Sequence, residues 1–191
     1  SGTIAIAEAL PVMTGPNASG TEIRGETAMD VVVGPDVTLD GGGLGFEGLV
    51  IGISTSNCVI RGLRVTGFTS GIVIRGGNLF PPGNNTIGGH ALNERNIATG
   101  NTDGVLLVGD QQATLVINTH SVQNPGNGLR IGNLATSLFV GDAGAFGYNV
   151  FSQNDQNGIL IEGSGNDAIQ AFVIQDNLIG LDRDGLGPSP N

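Results

Sequence analysis

The 191-residue sequence contains no lysine and no tryptophan, and only one tyrosine and one cysteine. Positive charge therefore rests on seven arginines, set against 17 acids for a formal net charge of −10. A surface of that sign repels phosphate backbones and anionic lipid, so nucleic acid is not an expected partner. No apolar run approaches the ~20 residues of a membrane helix, so membrane insertion is not expected. Ser1-Gly2-Thr3-Ile4 has neither the basic stretch nor the apolar run of a signal peptide, and reads as a mature or excised terminus. Cys58 has no internal partner and sits in the apolar run Cys58-Val59-Ile60, which makes it a buried structural thiol. Cysteine usage therefore does not set the compartment.

Glycine and asparagine are abundant. There are 34 glycines, where average usage of roughly 7% would give about 13, and 18 asparagines. The glycines are irregularly spaced and proline totals 8, which excludes collagen. An apolar fraction of 39% and a mean hydropathy of +0.14 exclude disorder. Both residues are poor helix formers. A β-rich, turn-rich chain remains, with glycine where φ is positive or space is short.

The string Gly-apolar-x-apolar recurs at Gly48-Leu49-Val50-Ile51, Gly71-Ile72-Val73-Ile74, Gly104-Val105-Leu106-Leu107, Gly128-Leu129-Arg130-Ile131 and Gly158-Ile159-Leu160-Ile161. The intervals are 23, 33, 24 and 30 residues. Each string follows a turn-prone or acidic residue: Glu47, Ser70, Asp103, Asn127 or Asn157. A second element, Asn followed by apolar residues, recurs at Asn57, Asn85, Asn96, Asn149 and Asn177. The shorter units, of 23 and 24 residues, are too short for a strand–helix–strand crossover, which needs about 30 or more residues. They fit an all-β, right-handed parallel β-helix of about six to seven coils stacked about 4.8 Å apart, a rod on the order of 30 Å long. Alternation predicts Leu49/Ile51, Ile72/Ile74, Val105/Leu107, Leu129/Ile131 and Ile159/Ile161 as two interior ladders. Val50, Val73, Leu106, Arg130 and Leu160 then point outward, on an exposed face or one covered by another chain or domain. Loop insertions are expected at Asn78–Gly83, Gly88–Glu94 and Asp142–Gly147. Residues 1–45 read as lead-in strands and N-terminal coils, and 46–191 as the repeat coils of the same continuous domain.

Three further segments carry a family resemblance: Gly71-Ile72-Val73-Ile74-Arg75-Gly76, Asn84-Asn85-Thr86-Ile87-Gly88-Gly89 and Arg95-Asn96-Ile97-Ala98-Thr99-Gly100-Asn101. With Asp176-Asn177-Leu178-Ile179-Gly180-Leu181-Asp182-Arg183-Asp184-Gly185 they resemble the β-helix repeats of the pectate-lyase-like superfamily, in the form found in large secreted or surface bacterial proteins. The resemblance spans nearly the whole chain, although Gly132–Phe146 departs from the pattern. It implies the β-helix fold and an extracellular or cell-surface location. It leaves function open, because fold does not fix function.

Enzymes on such folds need cations to neutralise uronate carboxylates and a base in reach of the α-proton. Without lysine, arginine would have to serve; Arg61, Arg64, Arg75 and Arg95 show no evident companion acid cluster and read as decorating solvent faces and pairing with scattered acids. A hydrolase would need converging carboxylates. Asp103, Asp110, Asp155, Asp167 and Asp176 are available, but mostly beside Gly or Asn, where Asp serves turns. His90 and His120 read as solvated. Phe46, Phe68, Phe139, Phe151 and Phe172 read as core, leaving Tyr148 as the one sugar platform. No catalytic or cofactor-binding residues are assigned. Asp182 and Asp184, in Asp182-x-Asp184-Gly185, resemble the first half of a Ca²⁺ loop and are the metal candidates; the second half is missing.

No cap is evident at either end of the array, which suggests a fragment of a longer one or head-to-tail docking of copies. The expectation is a non-enzymatic extracellular structural or adhesive module: a stalk, surface-layer or filament component. Its partners would be neighbouring repeat domains or its own copies, with polysaccharide as a further candidate. The alternative is a carbohydrate-active enzyme, of lyase, epimerase or hydrolase type, or a polysaccharide-binding domain.

Overall fold

The computed structural model describes residues 2–26, 35–77, 83–132, 137–144, 146–163 and 172–191. The chain visits three sheets in rotation. The first circuit runs β1 (Gly2–Ala5), a bridge from Met13 to Ile51, and β2 (Glu22–Arg24). The second holds β3 (Val37–Asp40), β4 (Leu49–Ile51) and β5 (Val59–Arg61), and the third β6 (Leu63–Thr66), β7 (Ser70–Arg75) and β8 (Thr86–Ile87). The fourth holds β9 (Asn96–Thr99), β10 (Asp103–Val108) and β11 (Thr114–Val116). The fifth holds β12 (Thr119–Val122), β13 (Leu129–Ile131) and β14 (Leu138–Val140). The sixth holds β15 (Val150–Ser152), β16 (Ile159–Ile161) and β17 (Val173–Ile174), and β18 (Leu178–Ile179) opens a seventh.

Sheet A is β1-β3-β6-β9-β12-β15-β18, sheet B is β4-β7-β10-β13-β16 and sheet C is β2-β5-β8-β11-β14-β17. Neighbours pair in parallel, each strand with the equivalent strand one circuit away. The protein is thus all-β, with three parallel sheets and two single-turn 3₁₀ segments, Pro16–Ala18 and Leu92–Glu94, among the described residues. This arrangement is consistent with the expected parallel β-helix. The segment before residue 46 joins the same sheets, because β1 pairs with β3 and β2 with β5.

The sequence intervals are the circuit lengths. Sheet B pairs Leu49 with Ile72, Ile72 with Val105, Val105 with Leu129 and Leu129 with Ile159, steps of 23, 33, 24 and 30 residues. Leu49, Ile51, Ile72, Ile74, Val105, Leu107, Leu129 and Ile131 all lie in the buried core, and Ile159 packs against it. Ile161 departs from the expected ladder and is 42% exposed, because β16 is the last strand of its sheet. Phe68 and Phe151 are core and Phe46 and Phe172 pack on it, but Phe139 is exposed. It sits between the buried Leu138 and Val140, so alternation turns it outward. The row assigned outward is not open to solvent along its length either. Val50, Val73 and Leu106 are buried and form a second apolar cluster with Val108, while Arg130 and Leu160 are half-buried.

The five strand-opening glycines answer to lack of space rather than to positive φ. They form a column along the stack. A Cβ on Gly71 would lie 2.8 Å from the carbonyl oxygen of Gly104, and one on Gly104 would lie 2.8 Å from that of Gly128. On Gly128 it would lie 2.6 Å from that of Gly158. Side-chain amides press on the same column: Asn101 on Gly71, Asn124 on Gly104, Asn154 on Gly128 and Asn191 on Gly158.

Those asparagines form a ladder, buried at Asn101, Asn124 and Asn154 and exposed at Asn191. Asn124 Nδ2 donates to Asn154 Oδ1 at 2.8 Å, and Asn154 Nδ2 to Asn191 Oδ1 at 2.8 Å. Each Oδ1 also accepts a backbone N–H of the preceding circuit: Phe68 to Asn101, Asn101 to Asn124, Asn124 to Asn154. A second ladder precedes sheet A, where Asn149 Nδ2 donates to Asn177 Oδ1 at 2.8 Å and Thr119 N–H to Asn149 Oδ1 at 3.0 Å. A third precedes sheet B, where Asn157 donates to Asn127 and Asn127 to Asp103. The turns between sheets need backbone partners that short strands cannot supply, and these amides supply them.

Of the expected loops, 78–82 lies outside the described residues, while Gly83 bridges to Gln112. In the 142–147 loop, Asp142 N–H donates to the Gly147 carbonyl at 3.1 Å. Cys58 is buried, its Sγ 3.3 Å from the Ala18 carbonyl oxygen.

Candidate functional site

With no lysine, any site for an anionic ligand must be built from arginine, and four of the seven arginines are occupied by acids. Arg24 and Arg61 stand opposite each other on β2 and β5, an unfavourable like-charge pair. Glu26 lies between them, its Oε1 2.7 Å from Arg24 and 3.1 Å from Arg61, and Glu22 and Glu94 also pair with Arg61. Arg61 thus pairs with acids scattered along the sequence, as expected; the loop before β9 delivers Glu94 and the segment after β2 delivers Glu26. Arg75 pairs with Glu47 across circuits. Arg130 binds Glu162 at 2.7 Å and approaches Asp103 at 3.5 Å.

Arg64, Arg95 and Arg183 have no ion pair among the described residues. All three belong to the outer side of sheet A or its margins. Arg64 alternates with the buried Leu63 and Val65 and so points outward from β6. Arg95 immediately precedes β9, and Arg183 lies in the turn after β18.

Arg95 is 4% exposed. Strand register places Asn96 beside Thr119, and His120 beside Val150, so Arg95, Asn118 and Tyr148 occupy one column on three successive circuits. Arg95 Nε donates to Asn118 Oδ1 at 3.1 Å. Asn118 Nδ2 donates to the carbonyls of Gly89 at 3.0 Å and Ala91 at 2.8 Å, which fixes the loop that carries Arg95. Burial pushes the Arg95 guanidinium down from its ordinary value, and the charge of Arg183 pushes it further.

His120 corrects the solvated reading. It points outward from β12 between the inward-facing Thr119 and Ser121, yet it is 6% exposed. Its ring centroid lies 6.3 Å from that of Tyr148, and its Nε2 is enclosed with no hydrogen-bond partner. Burial, then the charges of Arg95 and Arg183, push His120 down to about 3, so the ring is neutral at pH 7. His90 is exposed, with Nε2 3.8 Å from Asp142. The group Arg95–His120–Tyr148–Arg183 is the strongest concentration of unspent polar chemistry among the described residues.

The acids are not brought together. Asp103 is buried in the third ladder, Asp155 and Asp176 are exposed on different circuits, and Asp167 lies outside the described residues. Asp182 Oδ1 accepts the Leu186 N–H at 3.0 Å within a turn closed by an antiparallel bridge from Leu181 to Pro188, and Asp184 is exposed in that turn. Among the described residues no three His, Cys, Asp or Glu side chains group as metal ligands. A cleft of about 160 Å³ beside sheet B is lined by glycines with Phe68, Thr69, Thr102 and Pro125, and has no titratable side chain. No helix among the described residues is long and apolar enough to cross a membrane. No family model, curated protein or solved structure matches the chain.

Proposed function

We propose that the chain is a right-handed parallel β-helix of the pectate-lyase-like kind, acting as a non-enzymatic extracellular structural or adhesive module. Its end circuits are covered by further coils, either neighbouring repeats or copies stacked head-to-tail. One observation carries this reading. Among the described residues, the large exposed hydrophobics are Ile4, Val12, Leu44 and Ile53 on the first two circuits, and Phe139, Ile161, Val173, Ile179 and Leu186 on the last three. The described residues of the third and fourth circuits contribute none. Apolar exposure concentrated where strand edges are open fits a stack that continues.

Light scattering and electron microscopy across a concentration series test the self-stacking form. Particles should lengthen along one axis with concentration, and Ile179→Asp should shorten them. Strictly monomeric particles at every concentration would remove self-stacking and leave neighbouring repeats as the cover. A second reading, polysaccharide binding, is favoured by the acid-free arginines of sheet A. Turnover of any substrate in a polysaccharide lyase and hydrolase screen would replace the non-enzymatic reading.

A further inference from the structure

We propose that the outer margin of sheet A, where Arg95, Tyr148 and Arg183 flank His120, is an oxyanion-binding site. The ligand chemistry is a sulfate, phosphate or carboxylate group, free or carried on a polymer. The site stands independently of end-to-end stacking.

Acids outnumber arginines 17 to 7, and Arg24, Arg61, Arg75 and Arg130 each find one or more. A chain this acidic has carboxylates to spare, yet the most buried of its arginines, Arg95, has only the neutral Asn118 side chain. A desolvated guanidinium without a counter-charge is costly, and the cost grows when a second cation stands nearby. Arg183 is that second cation: its charge weighs on both Arg95 and His120. The nearest acids by position do not answer either arginine. Glu94 is engaged by Arg61, Asp182 by the Leu186 amide, and Asp176, next in the column after Tyr148, forms no ion pair. Bound between the two guanidiniums, an oxyanion relieves their repulsion and supplies the missing charge.

The neutral groups fit the same ligand. His120 carries no charge at pH 7 and, as the Nε2–H tautomer, has one donor without an acceptor. Tyr148 is half-buried beside it and adds a phenolic hydroxyl and a ring face. Asn118 holds Arg95 from behind by anchoring the Gly89–Ala91 loop, so the guanidinium is preorganised. Arg64, one circuit from Arg95 and two from His120 on the same face, extends the positive surface along the stack, in the direction a polymer would follow.

Calorimetric titration of the whole chain at fixed ionic strength tests the site, with sodium sulfate, sodium phosphate, a sulfated oligosaccharide and an oligouronate as probes. Saturable binding of at least one probe is expected. Tighter binding of an oligosaccharide than of the free ions would identify a polymer-borne group, and equal affinity would identify the small ion; either supports the site. Arg183 is exposed and its loss spares the core, so Arg183→Gln should weaken binding about tenfold or more. Arg95→Gln should do the same if it folds. Arg75→Gln, which removes an arginine already paired with Glu47, should change nothing. No saturable binding by any probe, or equal weakening by Arg75→Gln and Arg183→Gln, would overturn the proposal.

Discussion

Replacing Gly128 with alanine tests the link between glycine spacing and circuit stacking. The added Cβ would lie 2.6 Å from the Gly158 carbonyl oxygen, 2.8 Å from Asn154 Nδ2 and 3.1 Å from Phe151 Cδ1. The first is backbone of the next circuit and cannot yield without opening sheet B. The second is a ladder amide with donors committed to Ser121 O and Asn191 Oδ1. The third belongs to a fully buried ring. Overpacking costs about 1–3 kcal/mol, and a disturbed buried hydrogen bond adds about 1 kcal/mol, so a loss of about 3 kcal/mol is expected. For a chain of this size that is a drop in Tm of about 6–12 °C. Hydrogen exchange should show the loosening centred on the fifth and sixth circuits, because each circuit contacts only its neighbours. Gly83→Ala is the control: there the nearest atoms stand at 3.5 Å and φ is not positive, so stability should stay within about 0.5 kcal/mol. If Gly128→Ala were as mild as Gly83→Ala, the glycine column would not be a packing constraint, and the reasoning that assigns the motif to stacking would be wrong.

Asn124→Ala should cost about 2 kcal/mol or more, since it strands the Asn101 N–H and the Ala98 carbonyl in the interior and leaves Asn154 Oδ1 with only the backbone N–H of residue 124; chemical denaturation showing under 1 kcal/mol would refute the ladder's energetic role. Glu26→Gln should lower stability by removing the acid between Arg24 and Arg61 and leaving Glu22 to serve both, and the loss should shrink in high salt; a salt-independent loss would point to packing instead. His120 makes stability pH-dependent: its folded value of about 3 lies below the ordinary 6.5, so the unfolded chain binds the extra proton between them and stability falls as pH falls through that window. The contribution is whole above pH 6.5 and about 2 kcal/mol of it is gone by pH 5, so the gap between wild type and His120→Gln should narrow on acidification; parallel curves would contradict the neutral, buried ring.

Sheet B was legible in the sequence because one constraint acts at one place in every circuit. Where Gly48, Gly71, Gly104, Gly128 and Gly158 stack, no side chain fits, so the same residue recurs and its intervals are the pairing register. Sheets A and C carry no such mark. Their strands are two to four residues long and their positions accept Val, Ile, Leu, Thr or Arg. The first asparagine ladder had a trace, an Asn three or four residues before the glycine at Asn101, Asn124 and Asn154, but Asn191 joins it from a reversed segment that no interval predicts. Alternation gave the direction of Val73 but not its burial, because direction is local and cover is not.

The same distinction explains why the arginine site escaped the sequence. Arg95, Asn118 and Tyr148 share a column, yet they are 23 and 30 residues apart because the circuits differ in length, and they share no residue type. A stacking position repeats its residue only when the stack demands it. Where a column breaks the rule, with Arg and Tyr flanking the amide that the neighbouring ladder would supply, the stack gains no hydrogen bond from the change. Arg95 is then buried at a cost that Asn118 alone does not offset. A structural role predicts that an asparagine or serine at position 95 would lower thermal stability. A binding role predicts that such a variant keeps or gains thermal stability while losing anion affinity. Loss of both together, with no anion rescuing the wild type, would assign Arg95 to the architecture after all.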